Sequence, residues 1–242
     1  GAVLAQSHYA SPECRPMADL DLLLCADVEA KARQCMHALG FVDYCNAEMR
    51  PEEGDHHKEP LYHPVRGLWV ELHTALFPSV SPCSSLAVFQ RPMLGTESIE
   101  IAGCCFQVLD RPRQLLYVAA HWSQTMHSTG KFHGLSDLTL LVHDPKLDFA
   151  ATLAAIEAPA LMKTAAVSLE MLRRCEVLDP AQTRAVRALQ RRAGLHRIRL
   201  WLFWSMTEQM VLGKSGVFPI MGRHLVAQWW LEVMRSGNGI SA

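Results

Sequence analysis

The sequence predicts an α/β (α+β) protein, in which an αβ unit with added strands forms a small mixed sheet and a mostly helical C-terminal region follows. Three observations carry this reading. The stretches Asp19 to Cys25 and Gly67 to His73 alternate with the two-residue period of half-buried strands. Between them, Asp27 to Gly40 repeats at helical spacing. From Arg113 onward, apolar residues recur every three or four positions through most of the chain.

Taken in order, Ala2 to Tyr9 is a short helix, closed by a turn at Ser11-Pro12-Glu13. A strand around Asp19 to Cys25 leads into a helix that Asp27 is expected to cap. In that helix Val28, Ala32, Cys35 and Leu39 mark the inward face, and Gly40 supplies a left-handed stop. Phe41 to Cys45 reads as a second strand, Asn46 to Asp55 as a polar loop, and His56 to His63 as extended. Gly67 to His73 (GLWVELH) is a further strand. Pro78, Pro82 and Pro92 mark an irregular connection from Phe77 to about Gly95, which is the expected boundary. The domains are then residues 1–80, an α/β unit, and 81–242, a hairpin plus helices. The hairpin pairs Ile99 to Ala102 with Cys105 to Leu109 around Gly103. Helices are expected over Arg113 to Met126, Leu135 to Val142, Phe149 to Ile156, Ala160 to Arg174, Pro180 to about Arg192, Ile198 to Leu212 and Arg223 to Arg235.

Composition excludes some function classes. The 242 residues carry 23 basic and 24 acidic side chains, a net charge of -1, so no global field draws the molecule to nucleic acid or an anionic membrane. The apolar run Ile198 to Leu212 contains Arg199 and Glu208 and is too short to span a bilayer, so it is expected as a core helix and no membrane association is expected. No signal-peptide pattern opens the chain. Its start at Gly1 reads as a fragment or a processed end. Eight cysteines lack any C-x-x-C spacing and are expected reduced, several packed as small hydrophobes, which points to a cytoplasmic protein.

The chemistry lies in the strands. In an extended segment Asp19 and Asp21 share one face, roughly 6 to 7 Å apart, while Leu20, Leu22 and Leu24 take the other. Like-charge repulsion and desolvation disfavour two ionised carboxylates there unless a positive group joins them. A divalent cation would do so. In Trp69-Val-Glu-Leu-His73, alternation puts Trp69, Glu71 and His73 on one face and Leu68, Val70 and Leu72 on the other. If the two strands are neighbours, Asp19, Asp21 and Glu71 converge. Oxygen-only sets of this kind suit Mg2+ or Mn2+, whose shells are completed by water and substrate phosphates.

Gly1-Ala2, Arg15-Pro-Met-Ala-Asp-Leu-Asp-Leu-Leu-Leu, His56-His57 before Pro60, and Val70-Glu-Leu-His73 follow one another in an order that resembles an uncharacterised nucleotidyltransferase family of the polymerase-beta-like superfamily. The likeness covers roughly residues 1 to 145, the later part through Leu116-Tyr-Val-Ala-Ala-His121 and Leu135-Ser-Asp-Leu-Thr-Leu-Leu141. It implies a nucleotidyltransferase core in which Gly1 and Ala2 form the phosphate element, Asp19 and Asp21 are metal ligands, and Glu71 is the third, catalytic carboxylate. It implies a nucleoside triphosphate such as ATP as donor, transfer of its monophosphate to an acceptor hydroxyl, and Arg15 neutralising the leaving phosphates. The acceptor, small molecule or macromolecule, is not legible. Two departures stand out: Ala2 occupies a position usually held by serine, and the family's strand before the glycine has no counterpart. They support an alternative, a degenerate fold serving as a non-catalytic binding or assembly module.

Other clusters have simpler readings. His56, His57, His63 and His73 fall close together and raise a zinc hydrolase, although without a His-x-x-x-His spacing. His121, His127 and His133 share no helical face. Arg184, Arg187 and Arg191 align on one helix side and could meet a polynucleotide, but a solvated face is the preferred reading. Trp201, Phe203, Trp204, Trp229 and Trp230 read as bundle core, and Cys104 and Cys105 as packed strand residues.

Overall fold

The computed structural model describes residues 1–44, 56, 58–90, 96–125, 133–195, 200 and 204. Outside them lie Cys45, the predicted loop Asn46 to Asp55, His57, Pro92, Met126, His127, most of the Ile198 to Leu212 helix with Trp201 and Phe203, and the Arg223 to Arg235 helix with Trp229 and Trp230. By contacts the chain divides into two units, Gly1–Leu109 and Asp110–Ala242. The proline-rich connection lies inside the first.

In the first unit the helix α1 (Ala2–His8) buries Leu4 and Ala5. A mixed four-stranded sheet follows, in the order β1 (Leu20–Leu23), β4 (Leu68–His73), β3 (Leu61–His63), β2 (Val42–Asp43). β1 runs parallel to β4, and the other pairs are antiparallel. Phe41, Leu61, Val70 and Leu72 form the core on one face, with Leu22 and Leu24 from the β1 segment and Ala32 and Met36 from α2 (Glu29–Ala38) packed against them. Each such side chain contributes on the order of 1.5–3 kcal/mol when fully buried.

The inward face of α2 differs from expectation. Cys35 and Leu39 are exposed, Val28 precedes the helix and is exposed too, and the residues turned inward are Glu29, Ala32, Arg33 and Met36. A buried charge was accepted here because it is paired: Lys58 Nζ lies 2.8 Å and Arg33 Nε 3.3 Å from the Glu29 carboxylate. Asp27 does not cap the helix; it sits in a 3-10 turn, Ala26–Val28, that leads into it. Gly40 does end the run, at φ +93°, with the Phe41 N–H donating to the Met36 carbonyl at 3.1 Å.

The connection after β4 is packed: the Phe77 and Phe89 rings are 5.1 Å apart, Phe89 lying in the one-turn helix α3 (Ala87–Gln90), and Cys83 is buried. β5 (Thr96–Ile101) and β6 (Cys104–Leu109) form the expected hairpin, its two-residue loop Ala102-Gly103 having φ of 51° and 79°. Positive φ at both positions matches the turn to strand twist. Cys104 and Cys105 are exposed, contrary to expectation, because a two-stranded ribbon leaves them uncovered; among the described cysteines only Cys83 is buried.

The second unit is helical: α4 (Arg111–Thr125), α5 (His133–Val142), α6 (Phe149–Ala154), α7 (Pro159–Arg174) and α8 (Pro180–Arg192). α4 packs on α5 and α7, and α8 on α6 and α7. Small residues permit close approach: Ala119, Ala120, Ala165 and Ala166 are fully buried, and Ser168 Oγ donates to the Ala119 carbonyl at 2.7 Å. Asp179 caps α8 by accepting from the Ala181 and Gln182 N–H groups. Arg184, Arg187 and Arg191 are exposed, as expected for a solvated face. Trp204 is buried, stacked on Trp122 with centroids 6.0 Å apart.

Candidate metal centre

The two acid-bearing strands are neighbours. β1 and β4 pair with Asp21 directly opposite Glu71 and Leu23 opposite His73. Because side chains alternate, the register that sends Leu22, Val70 and Leu72 into the core sends Asp21, Glu71 and His73 to the other face. Their ligand atoms all lie within 4.8 Å of one another. His73 Nε2 is 3.2 Å from Asp21 Oδ1 and 3.3 Å from Glu71 Oε2. The backbone is held on both sides of β4: the Leu24 N–H donates to the His73 carbonyl, and the Thr74 N–H to the His56 carbonyl, both at 2.8 Å.

The positive group that the carboxylates need is therefore present within the chain. Burial pushes the His73 pKa down, but the hydrogen bonds and charges of Asp21 and Glu71 outweigh it and raise it to about 9. At neutral pH the imidazolium offsets one of the two negative charges. A dication is thus not required to neutralise the pair, although the donor set of two carboxylates and an imidazole fits one.

Sequence reasoning placed His73 on the correct face and gave it no part in this centre. The signal was there, since a histidine two residues after Glu71 on the same strand face is a cation within reach. Asp19 is exposed just before β1 and is not one of the three converging groups. Gly1 and Arg15 are neighbours: a Cβ added at Gly1 would lie 3.1 Å from both Arg15 Nη1 and Met17 Sδ. The 3-10 turn Pro12–Cys14 precedes Arg15, whose N–H closes it onto the Pro12 carbonyl. Ala2 is the first residue of α1.

Among the described residues of the histidine cluster, His56, His63 and His73, no three-histidine zinc site assembles. His63 shares the core face with Leu61 and packs edge-on against Phe41 at 5.0 Å, turned away from His73. His56 does approach, its ring centroid 5.1 Å from that of His73. Trp69, on the same face as Glu71, contacts Tyr62 at 4.6 Å and Tyr44 at 4.7 Å. A separate charged groove runs along α2, lined by Glu29, Arg33, His37, Asp43, Lys58 and Glu59. There the Lys58 hydrogen bond, against the effect of burial, lowers the Glu29 pKa with help from Arg33. The Arg33–Asp43 ion pair ties α2 to the β2 edge, and none of the metal-competent trio lines the groove.

Among the described residues no helix is long and apolar enough to cross a membrane. No curated protein and no solved structure matches the chain. Residues 1–175 match the model of a family described as an uncharacterised nucleotidyltransferase, so the chain belongs to that family, and nucleotidyl transfer is the general activity this membership supports.

Proposed function

We propose that this nucleotidyltransferase moves a nucleoside monophosphate from a nucleoside triphosphate, such as ATP, to an acceptor hydroxyl, using a divalent ion held by Asp21 and Glu71. The observation that carries this is the in-register placement of those two carboxylates across parallel strands, on the face turned away from the core. Mg2+ or Mn2+ would suit this pair, and Asp19, exposed just before β1, would have to turn toward them to add a further oxygen. When bound, such an ion neutralises phosphate charge and lowers the pKa of the attacking hydroxyl.

The chain's own groups do the rest. Asp21 and Glu71, fixed by the register of a sheet and not by a loop, hold the charge that orients the donor phosphates. In an alternative role to holding the ion, Glu71 would take the acceptor proton directly. Arg15 neutralises the leaving pyrophosphate, and the missing side chain at Gly1 leaves the Arg15 guanidinium room beside the first N–H groups of α1, starting at Ala2. The acceptor is a small molecule or a macromolecule.

Binding of a non-hydrolysable nucleoside triphosphate, measured calorimetrically with and without Mg2+, tests this. Mg2+-dependent binding that falls about 10-fold or more in Asp21→Asn and Asp19→Asn is the expected result. Binding unchanged in both variants overturns the reading. One observation favours a second reading, a non-catalytic binding or assembly module: His73 makes the acid pair stable without an ion. Absence of nucleotide and metal binding, with a protein partner co-purifying, would select it.

A further inference from the structure

We propose that His73 is itself a metal ligand, its Nε2 joining Asp21 and Glu71 in a site of one nitrogen and two oxygens that takes a first-row transition dication in preference to Mg2+. This rests on the reading of Asp21 and Glu71 as metal-holding residues and adds the identity of the third donor and the class of ion.

The spacing of the donors carries the inference. Metal–ligand bonds of about 2.1 Å put adjacent donors about 3.0 Å apart in an octahedral shell and about 3.4 Å apart in a tetrahedral one. His73 Nε2 stands 3.2 Å from one carboxylate oxygen and 3.3 Å from the other. Two edges of the triangle already match a coordination face and the third donor pair lies within 4.8 Å, so a side-chain adjustment, without a slide of either strand, admits an ion. Its rigidity comes from the backbone. Glu71 and His73 are two apart on a central strand, Asp21 is locked opposite Glu71, and the His56 ring backs the His73 imidazole edge-on. The His73 side chain is 15% exposed, which leaves it little freedom to swing away.

The chemistry of the third donor then selects the ion. Carboxylate and water suit Mg2+ and Mn2+ alike, but Mg2+ gives up its waters reluctantly and seldom takes imidazole. Transition dications accept imidazole nitrogen with carboxylate oxygen readily, and here the ion takes the place of the Nε2 proton, which is released to solvent. A site with this composition on the carboxylate face discriminates against Mg2+ through the one donor that is not oxygen.

The test uses the full 242-residue chain, stripped of metal and titrated with Mn2+ alone. Electron spin-echo envelope modulation of bound Mn2+ reads directly coordinated nitrogen. The expected result is a nitrogen modulation that changes when histidine is labelled with 15N, disappears in His73→Gln, and persists in His56→Gln. Mn2+ affinity is expected to fall about 10-fold or more in His73→Gln, with a smaller loss for Mg2+ measured by competition. Mn2+ bound in a manner that Asp21→Asn abolishes, but without nitrogen modulation in the wild type, overturns this inference and leaves the carboxylate-held ion standing. Absence of any Asp21-dependent Mn2+ site overturns both. The wild-type spectrum decides between these outcomes even if His73→Gln does not fold.

Discussion

In the metal-free protein, His73 makes stability depend on pH in a direction opposite to that of most carboxylate pairs. Its folded-state pKa, about 9, lies above the ordinary value of 6.5. The imidazolium's contribution is therefore complete below about pH 6.5, declines as pH rises, and is gone above about pH 9. Each pH unit between the two values is worth about 1.4 kcal/mol, which sets a ceiling of about 3 kcal/mol. The Asp21 side chain is 50% exposed, so solvent screening reduces the expected figure to about 1–2 kcal/mol. Urea unfolding of wild type and His73→Gln in chelator, at about pH 6 and about pH 9.5, should show the variant less stable by that amount at the lower pH and nearly equal at the higher. Imidazole NMR resonances give the titration midpoint directly. A midpoint near the ordinary value, or a stability gap of the same size at both pH values, refutes the reasoning.

Three other substitutions probe the scaffold. Gly134→Ala would set a Cβ 2.4 Å from Trp122 Cδ1, and thermal unfolding should show a loss of about 1–3 kcal/mol from forced repacking. Asp179→Ala removes the acceptor for two N–H groups at the start of α8 and should lower stability by about 1 kcal/mol in the same assay, with Asp179→Asn largely retaining it. Glu29→Gln keeps shape but takes the charge from Lys58 and Arg33; denaturant unfolding should show a loss of about 1–2 kcal/mol that shrinks in high salt.

The strands that hold the centre were legible because alternation is a strict period: Val70 and Leu72 had to face one way and Glu71 and His73 the other. What alternation cannot tell is which strand lies beside which. The adjacency of β1 and β4 could only be assumed from sequence, and it is the pairing that turns two separate acids into one centre. Helix faces were less legible. In α2 the apolar positions Val28, Cys35 and Leu39 were expected inside, yet Glu29 displaced them, since a carboxylate with two cations beside it can be buried and one of the two, Lys58, lies far along the chain. Vicinal Cys104 and Cys105 sit on alternating faces of a strand, which led to the expectation of packing, but alternation does not reveal how few layers cover a hairpin. His63 and His73 look alike in sequence and point to opposite faces, which is why these two do not share a site.

The alignment of β1 with β4 also guards itself. A slip of one position would drive the Asp21 carboxylate among leucines and turn Leu22 out into water. Stranding an acid in hydrocarbon is penalised far more heavily than misplacing an alkyl group. The residues that mark this face for chemistry thereby police the assembly of the sheet, and replacing them with apolar side chains would loosen the only strand order in which they meet.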